Sequence, residues 1–125
     1  MSEDYDSLLK KDPKDLFQFL FRSFKTQIPQ VVFTIDDMNN ASQLLLKLTS
    51  DFSYLVALSA YAKLCVRDAK RNKSKEEWED MVDRKEVIDK VTEMVKQNYT
   101  AVSRAVTIKQ ENNKELFMNS KGYIG

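Results

Sequence analysis

Residues 41–71 contain neither glycine nor proline, and their apolar positions recur at steps of three and four. Nothing in such a stretch ends a helix, and its spacing is helical throughout. Ala41, Leu44, Leu45, Leu48, Phe52, Leu55, Val56, Ala62, Val66 and Ala69 form one stripe. Leu46, Tyr54, Leu58, Tyr61, Leu64 and Cys65 lie off it. A helix that is apolar on more than one side is usually covered on more than one side. The stretch therefore reads as a central helix, packed by the rest of the chain and by a second subunit. Its last turns change character, with Lys63, Arg67, Lys70 and Arg71 near the C-terminus.

The 125 residues suffice for one domain, 1–125. Residues 1–11 are polar and acidic and read as a mobile lead-in. Asp12-Pro13 then starts a short helix over 12–26, with Asp as N-cap and Pro in the first helical position. Leu16, Phe17, Leu20, Phe21 and Phe24 give it an apolar face, expected to pack on the central helix. Pro29 ends it. Val31, Val32, Phe33, Thr34 and Ile35 would suit a strand, but no partner strand exists elsewhere in the chain. Residues 27–40 therefore read as an extended connector, unless two subunits pair these segments. Asn40 with Gln43 has the spacing of a capping box, as does Ser74 with Glu77 after the next break. From 75 to 118 a second helical arm carries Trp78, Met81, Val87, Ile88, Val91, Met94, Val95, Tyr99, Val102, Val106 and Ile108 at helical steps. Asp83 and Glu86 repeat the capping spacing and mark a point where this arm could break. Residues 119–125 read as a tail.

The expected fold is all-α: a long antiparallel helical hairpin with a short N-terminal helix packed on it. Unbroken, the arms would be roughly 45 and 65 Å long. Arms of that length with several apolar sides would expose too much apolar surface alone, so a homo-oligomer is expected.

Several chemistries are disfavoured. The chain has no histidine, one cysteine, and glycine only at 122 and 125. The commonest general base and metal ligand is thus missing. A phosphate-cradling glycine loop and a Cys/His zinc site cannot be built within one chain. No catalytic residue, metal site or cofactor is expected, and the protein reads as a non-enzyme. Cys65, among apolar neighbours, reads as a small buried hydrophobe. The start is acidic rather than signal-like, and no apolar run approaches a membrane span. A reduced cytoplasmic compartment, with no membrane partner, fits these features.

The net charge is only +1, but it is laid down in blocks. Residues 63–75 carry six bases and one acid, whereas 76–93 carry eight acids and three bases. Lys63, Arg67, Lys70 and Arg71 share one helix face, and Lys73 and Lys75 extend the cluster into the turn. Such a face can neutralise phosphates and release counterions. Equally, its charges could complement the helix dipole or pair with the acidic block. A second basic set, including Arg104 and Lys109, lies near Tyr99, which could stack a base or pack in the core. Phe17, Phe21 and Phe24 could serve the core or dock a partner.

The segment 101–109, with Ser103, Arg104, Ile108 and Lys109, resembles the Ser-Arg-x-x-x-Ile-Lys pattern of the recombination mediator proteins of T-even-type bacteriophages. Asp83-Arg84-Lys85-Glu86-Val87-Ile88 precedes it, as a comparable stretch does there. Size and element order are also similar. The family's basic-aliphatic-acid-aromatic stretch is echoed at Lys63, Arg67 and Asp68. The aromatic residues that follow it there are absent here, and the linker is shorter. The resemblance implies a small, helical, oligomeric protein of the host cytoplasm. Such a protein binds single-stranded DNA and helps load a RecA-type recombinase against a single-strand-binding protein. The expected DNA contacts are Lys63, Arg67, Lys70, Arg71, Lys73, Lys75, Arg104 and Lys109. The alternative is a structural or interaction protein, such as a phage assembly component, adaptor or host-enzyme inhibitor. It would dock through Phe17, Phe21 and Phe24.

Overall fold

The computed structural model describes the backbone of residues 4–26 and 35–124, with side chains over 4–26 and 37–111. Four helices follow one another: α1, Tyr5–Leu9; α2, Pro13–Phe24; α3, Ile35–Asn72; and α4, Lys75–Ile124. Among the described residues there is no strand, and no helix is long and apolar enough to cross a membrane.

The expected hairpin is present: α3 and α4 pack against each other along much of their length. Leu48, Leu55, Leu58 and Ala62 of α3 meet Ile88, Val91, Val95 and Val102 of α4 in one buried core. Three cross-contacts fix an antiparallel register. Lys70 lies over the Trp78 ring, 5.7 Å from its centroid. Ser59 Oγ donates to Asp89 at 2.5 Å. Phe52 and Tyr99 line one shallow pocket. The turn between the arms is tight. Ser74 caps α4, its hydroxyl accepting from the Glu77 N–H at 3.2 Å. No described residue has positive φ, so this reversal is made without glycine.

The arms are longer than their sequence boundaries suggest. α3 starts at Ile35, so Asn39 and Asn40 lie inside the helix rather than at its cap. Met38, one turn before Ala41, packs on the core and extends the apolar stripe backwards. Of the expected connector over 27–40, residues 27–34, and with them 31–34 of the strand-like stretch, lie outside the described residues. α4 runs without a break at Asp83 and continues to Ile124, through the stretch expected as a tail. Met81, Val87 and Ile88 keep the same core face on both sides of Asp83, so nothing there favours a new helix start.

The N-terminal region differs most from expectation. In place of a mobile lead-in over 1–11, residues 5–9 form α1, with Leu8 fully buried and Leu9 nearly so. Asp4 caps it, accepting from the Ser7 N–H at 2.8 Å, and this hydrogen bond holds its carboxyl below the usual value. The Tyr5 ring sits 5.6 Å from Tyr54 and 5.7 Å from Tyr61. α1 thus takes the flank of α3 expected for α2. α2 instead packs chiefly on α4, burying Leu16, Leu20 and Phe24. Arg84 of α4 closes this corner, its Nε donating to the Lys11 carbonyl at 2.7 Å. Asp12 and Pro13 open α2, the Asp12 carboxylate accepting from the Lys14 N–H at 3.3 Å.

Candidate nucleic-acid interface

The helical hairpin brings the basic cluster to its closed end. Lys63, Arg67, Lys70 and Arg71 project from the last three turns of α3, and Lys73 and Lys75 flank the turn. All six side chains are exposed. The acidic block begins one residue later, yet the two blocks scarcely pair. Lys75 approaches Glu79 at 3.9 Å, and both side chains are mostly in solvent. Such a pair contributes little. Lys70 rests over Trp78 instead of a carboxylate. Among the described residues Lys63, Arg67 and Arg71 make no ion pair. Glu76, Glu77, Glu79 and Asp80 of the first turns of α4 are exposed, as are Arg67 and Arg71. The charge blocks are adjacent in sequence, yet Lys75–Glu79 is the ion pair found between them among the described residues.

Trp78 is unavailable for stacking on a base. It is partly buried, Lys70 covers its face, and its Nε1 is buried without a protein hydrogen-bond partner.

Comparison with protein-family models, with curated proteins and with solved structures finds no match to this chain.

Arg104 and Lys109 do not join the cluster. They lie on α4 about 45 Å and 50 Å along the helix from the turn, abreast of the first turns of α3. Arg104 is exposed and Lys109 half-buried. Tyr99 is 40% exposed and lines the shallow pocket with Thr49, Phe52 and Lys96, so it is neither fully core nor close to the basic end.

The phenylalanine set divides. Phe24 is 3% exposed, packs in the core and meets Tyr54. Phe17 and Phe21 remain accessible, their rings stacked 5.8 Å apart, with the Lys25 ammonium 5.8 Å from the Phe21 centroid.

The closed end also carries a groove that the sequence does not predict. α1 leans on α3 to form an open depression of about 500 Å³, lined by Asp6, Lys10, Tyr61, Cys65, Asp68 and Lys73 among others. The Tyr61 hydroxyl donates to the Asp6 carboxylate. This bond pushes the Tyr61 hydroxyl up to about 12, with desolvation adding to it. Burial raises the Cys65 thiol as well, so at neutral pH it is a thiol and a poor nucleophile. Among the described residues no cluster of acids, histidine or cysteine is placed to hold a metal ion. The sequence signal for this corner is the pair Leu8-Leu9 behind an Asp N-cap, easily lost in an acidic stretch.

Proposed function

We propose that the protein is a non-enzymatic, homo-oligomeric accessory protein that binds single-stranded DNA. In this reading it acts as a recombination mediator, loading a RecA-type recombinase where a single-strand-binding protein must be displaced. One observation carries the reading: six exposed basic side chains gather at one end of the hairpin, and among the described residues the acids leave five of them without an ion pair. Unpaired cations gathered at one end suit a phosphate backbone. Arg67 and Arg71, planar and always charged, are the principal contacts. With Trp78 covered, binding is held by phosphates and has little sequence preference.

The test is fluorescence anisotropy of a labelled single-stranded oligonucleotide at several salt concentrations. Affinity should fall linearly on a log–log plot, by about 0.7 per phosphate bound. The Arg67→Glu, Arg71→Glu double variant should lose binding, with unchanged circular dichroism. Binding at wild-type affinity and slope by that variant, or no binding by the wild type at low salt, would sink the reading. A second reading draws on the accessible Phe17–Phe21 stack. There the protein is a structural adaptor or inhibitor whose binding is nearly indifferent to salt.

A further inference from the structure

The outer face of α3 has no partner among the described residues, and it is not polar. Leu46 is 73% exposed and Leu64 59%. Between them on the same face stand Ser50, Ser53, Ala57 and Ala60, all exposed. Val56, 45% exposed, flanks them. The steps along this line are four, three, four, three and four, which keeps one straight seam over about 27 Å of helix. Large apolar groups at both ends, with small ones between, let a second helix approach closely at the centre.

The line is also symmetric. Leu46 and Leu64 are equidistant from the level of Leu55, as are Ser50 and Ala60, and Ser53 and Ala57. A surface that reads alike in both directions is complementary to itself about a two-fold axis. We propose that two copies of this chain pack antiparallel through this face of α3, with the axis at the level of Leu55. Each Leu46 then meets the partner's Leu64, and each Ser53 the partner's Ala57.

Charge selects this direction. The same line continues to Arg67 and Arg71 at one end and to Gln43 and Asn39 at the other. A parallel pair would set Arg67 and Arg71 against their own copies, which like charge disfavours. The antiparallel pair sets them against neutral amides. Lys63 faces the partner's Lys47, whose charge is already matched by Asp51 at 2.7 Å. Helices that cross at about 20° to 50° diverge away from the axis, so the arginines stay open to solvent. The seam goes beyond the DNA-binding reading and does not depend on it.

Sedimentation equilibrium of the full chain at micromolar concentration should give a dimer or a multiple of it. Ala57→Glu and Ala60→Glu, at exposed sites, should each give a monomer of unchanged helicity. A register test accompanies this. The Ser53→Cys, Ala57→Cys double variant should cross-link between chains on mild oxidation. Ala57→Cys alone should not, nor should the wild type through Cys65. A monomeric wild type, an undisturbed assembly in the glutamate variants, or cross-linking by Ala57→Cys alone as strong as by the double variant would each overturn the proposal.

Discussion

Tyr61 shows how a single side chain can report the state of the N-terminal region. Its hydroxyl donates to Asp6, and ionising it would place two negative charges together. Hence it titrates near 12 rather than at the ordinary value of 10. The folded value is raised, so the stabilisation from this hydrogen bond is complete below about pH 10 and disappears as pH rises toward 12. The absorbance titration of the wild type at 295 nm, less that of Tyr61→Phe, should therefore show one tyrosine with a midpoint near 12. In an Asp6→Asn background the same difference should move back toward 10. A midpoint at 10 in the wild type would mean that Asp6 and Tyr61 are not joined in solution. Asp6 reaches Tyr61 from α1, so the result bears on the next scale as well.

At the scale of elements, the two long helices are legible because their pattern is long and unbroken. Leu48, Leu55, Val91 and Val95 fall where the periodicity puts them, in the core. Where periodicity is ambiguous, only packing decides. Val56 belongs to the apolar stripe on paper but is exposed, whereas Leu58, off the stripe, is fully buried. Once α1 and α2 cover a second flank, the core-facing arc shifts toward Leu58. α1 itself is illegible because five residues give too short a period to recognise. Its stability comes from burying Leu8 rather than from propensity. Lys63, Arg67, Lys70 and Arg71 are legible as one exposed cluster, but their lack of ion pairs with the acidic block is not, because pairing does not follow from adjacency in sequence. Leu8 tests the corrected picture. Leu8→Ala should cost about 2–5 kcal/mol in urea-induced unfolding, as for a filled core position. A change within about 0.5 kcal/mol, the usual surface value, would return residues 1–11 to the status of a loose lead-in.

At the scale of the whole molecule, the two basic sets are separated in one chain, and the proposed pair would bring them to common ends. The antiparallel register of the hairpin puts Arg104 and Lys109 beside the first turns of α3. The proposed antiparallel seam would put the partner's Arg67 and Arg71 beside those same turns. Each end of the dimer would then carry cations from both copies, and the two α3 clusters would stand about 36 Å apart along the helices. A strand bound by the dimer could place its phosphates on cations at both ends, whereas a monomer offers only its own closed end at close quarters. This makes the salt dependence of binding a measure of assembly. Ala57→Glu, held as a monomer, keeps every basic residue, yet its log–log salt slope should be shallower than that of the wild type. The decrease should be about 0.7 for each phosphate that the monomer no longer reaches. Arg104→Glu with Lys109→Glu should reduce the wild-type slope while changing the slope of the Ala57→Glu monomer much less. If Ala57→Glu is monomeric and its slope equals that of the wild type, one closed end binds DNA alone and the dimer serves another purpose. If that slope falls, and Arg104→Glu with Lys109→Glu lowers the wild-type slope more than that of the monomer, the charges at 104 and 109 act on the same strand as those of the partner's α3. The blockwise charge of a nearly neutral chain then has a physical use, since the sign of each end is set by the assembly rather than by net charge.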